Sequence, residues 1–457
     1  MSLGNGNPKS GDKGSNFNYE LKALQGLESI AKKLETGIVK KIVAGTGITI
    51  SPTTGVGNVT INAGLQGTNY LSVLANGTPA QNGQAVRTAY TAAQAMTPNG
   101  AAKSDTNRVV ILLAPGNYTF SEATLGAFTI NQSFIDFESL SGMTDVYFSS
   151  VQVISNFPGI NVRISGINTT VNPYYGHAAF AVASTGDSSE NIYIKNCVGG
   201  DYSFSAFSSA FTGTIDNCVA NDFSFGYKTT AAPPAGITSG GGGVNLSLYG
   251  TFKNCTANNN SFLHSTTVGT VENYGTIDNC TASINSFLYG SGDVYNYGTI
   301  SNCISGGYSF LVGSFVLNAA RISNCRGNGI FCFIVTFSAS GSATNSGFIV
   351  DCDCTSLDAC FVSKVTATYT GDNIYGRIIN CTALNSIGAF CGNLGTHTGI
   401  MSNCIAGALA FCCDNAAGIG PNGNILRCTM TGDTFTVGAT GGGRVVLGID
   451  NTGVVNY

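Results

Sequence analysis

The sequence has no tryptophan and little charge: Asp, Glu, Lys and Arg supply only 10% of its 457 residues. With a formal net charge of −4, neither nucleic acid nor an anionic membrane is expected as a partner. No apolar run reaches the roughly 18 to 20 residues of a membrane span. The start of the chain, Met1 to Lys9, has no apolar core like that of a signal peptide. Disorder is excluded as well, because disordered chains carry more charge and fewer aromatic residues.

The sequence does contain a short motif, or phrase, centred on cysteine that recurs from residue 197 onward. Ten of the 16 cysteines stand in it at intervals of 21 to 37 residues, and periods of roughly 20 to 50 residues are typical of solenoids. Asn precedes the cysteine in eight phrases, and Asp351 and Arg427 take its place in the other two. The ten cysteines are Cys197, Cys218, Cys255, Cys280, Cys303, Cys325, Cys352, Cys381, Cys404 and Cys428.

Two apolar positions accompany these cysteines. The residues three positions before them are Ile194, Ile215, Phe252, Ile277, Ile300, Ile322, Ile349, Ile378, Met401 and Ile425. The phenylalanines seven positions after them are Phe204, Phe225, Phe262, Phe287, Phe310, Phe411 and Phe435, with Phe331, Phe361 and Phe390 at neighbouring distances. A stack of short strands would bury both columns, each residue resting on its equivalent one rung away.

These columns predict a right-handed parallel β-helix with rungs of about two dozen residues. Cys is a small filler of the same interior. Asn suits the sharp turn before it, because Asn tolerates the left-handed backbone conformation and its amide can bond the next Asn in a ladder. The predicted ladder consists of Asn196, Asn217, Asn254, Asn279, Asn302, Asn324, Asn380 and Asn403.

The rest of the chain is arranged around this stack. We expect an N-terminal attachment segment with a short helix at 1–41, a β-strand shaft for oligomerisation at 42–64, and a linker with a capping helix at 65–105. The β-helix follows at 106–435, and a C-terminal cap at 436–457.

The capping helix is predicted from a stripe of small residues between about Asn82 and Met96. It would cover the open end of the first rung and satisfy that sheet edge. The segment Val109 to Tyr118 then has the pattern of the opening strand. The stripe consists of Ala85, Val86, Ala89, Ala92 and Ala93.

Charged residues also form a column, two positions before the cysteine on four successive rungs: Lys195, Asp216, Lys253 and Asp278. A row of substrate-binding or catalytic charges is one interpretation, and we favour the other, an alternating salt ladder between rungs.

The candidates for catalysis are Asp351 and Asp353, with Asp358 on the following segment. Glycoside hydrolysis uses two carboxyl groups roughly 5 to 9.5 Å apart. Alternation along a strand would place two of these carboxylates on one face, yet Asp351 occupies the ladder position, where a turn-forming role is favoured.

No metal or cofactor is expected. The three histidines, His177, His264 and His397, lie far apart in the sequence and are interpreted as surface or loop residues. The additional cysteines are not spaced like paired Cys-x-x-Cys metal sites. We therefore interpret them as stacked core thiols, in keeping with folding in a reducing cytosol. These additional cysteines include Cys354, Cys391, Cys412 and Cys413.

The small-residue helix, the following Leu113-Ala114-Pro115-Gly116-Asn117-Tyr118 and the stacked rungs resemble the pectin-lyase-like β-helix superfamily. Residues 43–61 look like the short β-segments common in bacteriophage tail fibres and tailspikes. Together these resemblances imply a virion fibre, typically a homotrimer, joined to other virion proteins by its N-terminal segment.

Three functions remain open. The first is a virion tail fibre or tailspike that attaches to host surface glycan or receptor through Tyr289, Tyr295 and Tyr297. The second is a polysaccharide depolymerase, a lyase or a glycoside hydrolase, on the same particle. The third is a bacterial adhesin or extracellular filament subunit at the cell surface. For the first two we expect assembly in the host cytoplasm, with no nucleic-acid partner and no membrane insertion.

Overall fold

The computed structural model divides the chain into two compact units, Met1–Gly67 and Thr68–Tyr457. In the first unit, strands Ile48–Ser51 and Thr60–Ala63 pair antiparallel, and of the helix predicted before residue 41 only residues 27–28 are described. The structure describes residues 27–28, 48–51, 60–63, 69–120, 128, 130–149, 160–169, 191–200, 204, 210–222, 224–228, 246–259, 262–265, 269–284, 287–306, 310–328, 333–336, 341–354, 362–364, 373–383, 396–397, 399–406, 424–430, 444–446, 448–450 and 453–455.

The second unit is a parallel β-helix whose coils each run through up to four sheets, which we call A, B, C and D in chain order. Strands within each sheet pair in parallel, apart from the last strand of sheet B, so the predicted β-helix is confirmed. Sheet A has 15 described strands: Tyr70–Val73, Val109–Leu113, Ile135–Ser139, Asn161–Ser165, Asn191–Lys195, Thr214–Asp216, Thr251–Lys253, Thr276–Asp278, Thr299–Ser301, Arg321–Ser323, Phe348–Val350, Arg377–Ile379, Ile400–Ser402, Asn424–Leu426 and Arg444–Val446.

Sheet B follows sheet A in each coil, and on the repeat rungs the turn between them holds the predicted ladder Asn and is called the Asn corner. The early and late parts of sheet B are joined through β-bridges at Val198. Its strands are Gly116–Thr119, Val146–Ser149, Ile167–Asn168, Val219–Ala220, Thr256–Asn259, Thr281–Ile284, Ile304–Ser305, Arg326–Gly327, Asp353–Cys354, Thr382–Ala383, Ile405–Ala406, Thr429–Met430, Gly448–Asp450 and Gly453–Val455.

Sheets C and D complete the coil. Sheet C comprises Tyr227–Lys228, His264–Ser265, Leu288–Gly290, Leu311–Gly313, Ile334–Thr336 and Val362–Lys364. Sheet D comprises Ala210–Phe211, Leu246–Leu248, Val271–Asn273, Val294–Asn296, Val316–Asn318, Ala343–Asn345, Asn373–Ile374 and Thr396–His397.

The α-helix α1 spans Pro79–Ala95, and a 3₁₀ turn follows at Pro98–Gly100. It begins three residues before the predicted Asn82, because Thr78 and Gln81 form a capping box upstream of the small-residue stripe. Its first turn lies directly against strand Gly116–Thr119, where a Cβ on Gly83 would collide with the Thr119 carbonyl. Within the described residues, no helix combines the length and apolar character needed to cross a bilayer.

Both ends of the stack extend beyond the predicted limits. Strand Tyr70–Val73, which lies within the predicted linker, pairs in parallel with Val109–Leu113 and starts sheet A. At the other end, Arg444–Val446 adds a strand to sheet A inside the segment predicted as the cap. The last described strand of sheet B, Gly453–Val455, pairs antiparallel with Gly448–Asp450.

The predicted apolar column forms the centre of sheet A. Each residue from Ile194 to Ile425 pairs with its equivalent on the next strand, and those from Ile194 to Met401 are buried. Burying one such side chain contributes about 1.5 to 3 kcal/mol.

The Phe column stacks as well, with ring centroids 4.8 to 5.1 Å apart from Phe204 to Phe333. Phe333, eight positions after its cysteine, takes the place predicted for Phe331, so the spacing rule is wrong on that rung. The candidates Phe331, Phe361, Phe390, Phe411 and Phe435 lie outside the described residues.

The ten repeat cysteines are free and buried. Each thiol donates to the carbonyl two residues earlier, as Cys303 does to Ser301 at 3.0 Å, and burial raises the pKa of thiols such as Cys218. Cys354 differs from the expectation of stacked thiols, because it is disulfide-bonded.

At the corner before these cysteines, the eight predicted ladder Asn residues have φ between 51° and 56°. Glycine-like conformations of this kind favour Asn among the residues that carry a side chain. The amide of Asn279 donates to Asn254 at 2.8 Å and that of Asn324 donates to Asn302 at 2.7 Å. Asn254 and Asn302 instead donate to Asp216 and Asp278.

The contacts of these two aspartates show that the predicted salt ladder is wrong. Asp216 and Asp278 accept hydrogen bonds from neutral amide and hydroxyl groups. In the described part of the chain, the ion pairs join other residues, so the alternation of Lys and Asp does not produce inter-rung salt bridges.

A second Asn ladder, which was not predicted from the sequence, lies inside the solenoid at the end of sheet D. Asn273, Asn296, Asn318 and Asn345 are fully buried. Each of the first three donates its side-chain amide to the next at 2.8 Å. The ladder gives buried polar groups partners that water would otherwise provide.

Candidate functional site

Two of the three predicted catalytic aspartates, Asp351 and Asp353, lie along a shallow groove of about 600 Å³ at the Asn corner. Asp351 has a φ of 55° and accepts the Asn380 amide at 2.9 Å, as a member of the ladder. The carboxylate of Asp353 lies 3.6 Å from the Arg326 guanidinium. Asp358 lies outside the described residues. The contacts of Asp351 and Asp353 are therefore accounted for within the fold, without a substrate.

Of the three predicted glycan-contacting tyrosines, Tyr295 and Tyr297 stack on each other with ring centroids 5.9 Å apart, whereas Tyr289 lies in sheet C. Tyr289 is half-buried and stacks on His264, with centroids 4.4 Å apart. Tyr295 donates its hydroxyl to Asp293 at 3.1 Å, and burial with Asp293 nearby raises its pKa to about 12. Tyr297 is exposed.

The prediction that His264 is a surface or loop residue is wrong, because its side chain is buried in sheet C. Burial lowers its pKa to about 4. His177 lies outside the described residues, and the side chain of His397 does too.

A larger groove, of about 940 Å³, opens on the outer face of sheet A near its first strands. Strands Ile135–Ser139, Asn161–Ser165 and Asn191–Lys195 supply much of its lining. Their apolar residues alternate with polar ones, and because Phe137 and Ile164 are buried, the polar side chains between them face the groove.

A buried ion pair forms one wall of the groove. Arg108 contacts Asp136 through two hydrogen bonds of 2.6 Å, from Nε to Oδ2 and from Nη2 to Oδ1. Asp136 also accepts the backbone amide of Arg163 at 2.8 Å. With both oxygens engaged and both side chains buried, this pair positions the wall and leaves little acceptor capacity for a ligand.

The floor of the groove is one column of sheet A. The strand register pairs Glu138 with Ser165 and Ser165 with Lys195. Glu138 and Lys195 therefore lie in one outward column on either side of the small Ser165, two rungs or about 10 Å of axis apart.

The neighbouring column adds a guanidinium donor and a hydroxyl oxygen. Arg163 pairs in register with Tyr193 and lies 3.1 Å from Asp105. Tyr193 donates its hydroxyl to Asp216 at 3.3 Å, and burial together with Asp216 raises its pKa. Tyr193 therefore stays protonated at neutral pH.

The groove consequently combines acceptors, the Glu138 carboxylate and the Tyr193 hydroxyl oxygen, with donors on Arg163 and Lys195. This set fits a ligand with many hydroxyl groups, which both donate and accept hydrogen bonds. Among the described residues, no group of His, Cys, Asp and Glu is arranged to hold a metal ion.

Among the charged residues of the groove, only Lys195 had been singled out from the sequence, as a member of the predicted salt ladder. The available signal was the alternation in Ile135-Asp136-Phe137-Glu138 and in Ile192-Tyr193-Ile194-Lys195. It places charged residues on one face of adjacent strands, but their pairing in register depends on the rungs of Ile135–Ser139 and Asn161–Ser165, which carry no Asn-Cys motif.

The chain is thus an all-β parallel solenoid with a charged groove on the outer face of its longest sheet. No known protein family matches the sequence, and no curated protein matches it either. Among solved structures, it is similar to the A-module of the mannuronan C-5 epimerase AlgE6 of Azotobacter vinelandii. The identity is 12%, the TM-score is 0.33, and the match covers 81% of this chain and 95% of that one. A likeness at this level carries no argument about function.

Proposed function

We propose that this β-helix is a glycan-binding attachment protein of a virion, a tail fibre or tailspike, and that the groove on sheet A holds the saccharide. The observation that carries the proposal is the column of Glu138, Ser165 and Lys195. In this column the acceptor Glu138 and the donor Lys195 lie on either side of Ser165, and the sugar unit occupies the gap above Ser165. Arg163 and Tyr193 flank the gap and hydrogen-bond to the sugar hydroxyls.

Two further features support a virion role. Ten of the eleven cysteines that the structure describes are buried free thiols, with the disulfide-bonded Cys354 as the exception, and this predominance of thiols suits a protein that folds in a reducing cytosol before release. The strands Ile48–Ser51 and Thr60–Ala63 form a two-stranded sheet, which is marginal alone in water. Packing against the same hairpin of other copies would stabilise it, so we propose a homotrimer that joins other virion proteins through its N-terminal segment.

The groove is tested by binding of the full-length protein to an array of bacterial surface polysaccharides. We expect binding that is lost in Glu138→Gln and Lys195→Ala and kept in Asp353→Asn, a carboxylate change on sheet B. Absence of binding across the array, or equal binding by all variants, would overturn the proposal.

The trimer is tested by light scattering on the full-length protein beside a chain that lacks residues 1–64. A trimer that becomes a monomer on truncation supports assembly through the N-terminal segment. A monomer in both cases contradicts it.

The same groove favours a second candidate, a virion-associated depolymerase, because Glu138 and Lys195 supply a base and a cation to one gap. A hydrolase with two carboxylates is less favoured, since Asp136 is held by Arg108. Release of new reducing ends or unsaturated sugars from a bound polysaccharide, lost in Glu138→Gln, would establish cleavage. Binding without either product would leave attachment as the function.

A further inference from the structure

A column of side chains at the corner between sheets D and A changes character along the solenoid. The residues that directly follow successive sheet D strands are Tyr249, Tyr274, Tyr297, Ala319, Ser346 and Tyr375. Their backbone amides each bond a carbonyl one rung below, for example Ala319 to Asn296 at 2.9 Å and Tyr375 to Asn345 at 2.8 Å. The six positions are therefore equivalent places on consecutive rungs.

The three lower tyrosines form a continuous stack. Ring centroids are 4.8 Å apart between Tyr249 and Tyr274 and 5.0 Å apart between Tyr274 and Tyr297, and the rings are nearly parallel. The three residues nevertheless remain 51%, 41% and 42% exposed. Large aromatic side chains exposed side by side on a surface are typical of recognition sites.

The stack stops at Tyr297 because the next two positions are Ala319 and Ser346, both small and exposed. The following position is Tyr375, which is 52% exposed. The two missing rings leave a notch of about 10 Å along the axis, and no ring of this column covers the face of Tyr297 that looks toward Ala319.

The sheet A side of the notch is cationic. On the rungs of Ala319, Ser346 and Tyr375, the outer side chains at the start of the sheet A strand are Arg321, Phe348 and Arg377, which pair in register. The guanidinium of Arg377 lies 5.7 Å over the exposed ring of Phe348. Within the described residues, neither Arg321 nor Arg377 forms a salt bridge, so both charges are available to a ligand.

We infer that this notch is a second saccharide subsite, specific for a pyranose that carries an anionic group. The inference rests on the proposed glycan-binding function. The apolar C–H face of the sugar packs on the free face of Tyr297, since the face of an aromatic ring is its negative part and C–H groups are weakly positive. Arg321 and Arg377 then pair with the anionic substituent by charge-assisted hydrogen bonds.

The test uses saturation-transfer NMR on the full-length protein with two matched probes, methyl glucoside and methyl glucuronide. Binding of both is expected, with the glucuronide favoured by about twofold to fivefold at low salt. The double variant Arg321→Gln with Arg377→Gln removes that preference and leaves the glucoside signal. Ala319→Tyr, which fills the notch with a further ring, removes both signals at this subsite.

The matched control is at the other end of the same stack. Tyr297→Ala is expected to abolish saturation transfer to the C–H protons of the sugar, whereas Tyr249→Ala keeps it. Equal signals in these two variants, or no preference for the glucuronide in the native protein, would overturn the subsite.

Failure of the subsite is distinguishable from failure of the proposed function. If Lys195→Ala loses polysaccharide binding while Tyr297→Ala retains it and shows unchanged saturation, the groove stands and the notch is refuted. If neither the array nor the two probes give binding in the native protein, both proposals are refuted.

Discussion

The first rungs of the β-helix and its middle rungs solve the same packing problem with different residues. In the middle, Cys, Ile and Phe repeat as columns, so each side chain rests on a copy of itself. In the first rungs, the interior is a cluster of unlike aromatics in edge and stacked contacts, with Phe120 and Phe128 4.9 Å apart and Tyr118 and Phe148 5.7 Å apart.

The outer face of the first rungs also differs from that of the middle rungs. One outward column of sheet A has Asp136, Arg163 and Tyr193 on the first rungs, and then continues with threonine: Thr214, Thr251, Thr276 and Thr299. Over these four rungs the surface of the column is uniform and neutral, and charge returns further along the same column with Arg321 and Arg377. The charges of the first rungs lie on the outer face, so the packing of the core does not require them.

The largest effect is expected from the ion pair of the first rungs. Asp136→Ala leaves Arg108 buried without its bidentate partner, which costs about 3 to 5 kcal/mol. Urea unfolding measures this loss. Because each rung contacts only its neighbours, hydrogen exchange should rise between residues 109 and 165 and stay unchanged near Ile300. The exposed partner Asp105 is the control, and Asp105→Ala is expected to cost less than about 1 kcal/mol.

In the middle rungs, the corresponding buried ionisable group is His264. Its pKa is about 4 in the folded protein, against 6.5 for an ordinary histidine. As pH falls from 6.5 to 4, the unfolded chain takes up a proton that the folded chain does not, so stability decreases by up to about 3 kcal/mol. Above pH 6.5 the group has no effect on stability.

His264→Phe keeps the stack on Tyr289 and removes the titration. The free energy of unfolding of this variant should therefore vary less between pH 6.5 and 4 than that of the native protein. An unchanged pH dependence would contradict the burial of His264.

The same contrast explains how much of the fold was predictable. Columns such as Ile277 and Ile300 repeat at fixed offsets from the cysteine, and they predicted sheet A in register. Strand Tyr70–Val73 was missed because it precedes α1 and belongs to no repeat. Phe333 was missed because a rung of altered length moves the phenylalanine while the three-dimensional column stays in place.

The candidate site was less predictable. Asp351 was singled out because two carboxylates stand close in sequence, yet the left-handed corner and Asn380 account for it. The Glu138 to Lys195 column spans 57 residues of chain and exists only through strand pairing. Local sequence carries no information about such pairing where no repeat fixes the register.

The inner Asn ladder offers a sharper test of the middle rungs. Asn296→Ala removes the hydrogen-bond partner of the side-chain Nδ2 of Asn273 and that of the side-chain Oδ1 of Asn318, and both atoms stay buried. Each loss costs about 1 to 3 kcal/mol. Asn296→Asp is the matched variant, since it keeps the acceptor for Asn273 but offers no amide to Asn318. Thermal unfolding ranks the variants, and a change below about 0.5 kcal/mol for Asn296→Ala would contradict a cooperative ladder.

The smallest effect is expected at the outer corner, where the two roles of Asn separate. Asn302 has a φ of 56°, accepts the Asn324 amide and donates to Asp278. Asn302→Ala loses these bonds and strains the backbone, which costs about 1 to 2 kcal/mol. Asn302→Gly relieves the backbone and loses only hydrogen bonds that water replaces at this exposed position, so it should cost about half as much. If Gly proved as destabilising as Ala, the hydrogen-bonded ladder and not the left-handed turn would be the main contribution of Asn at this corner.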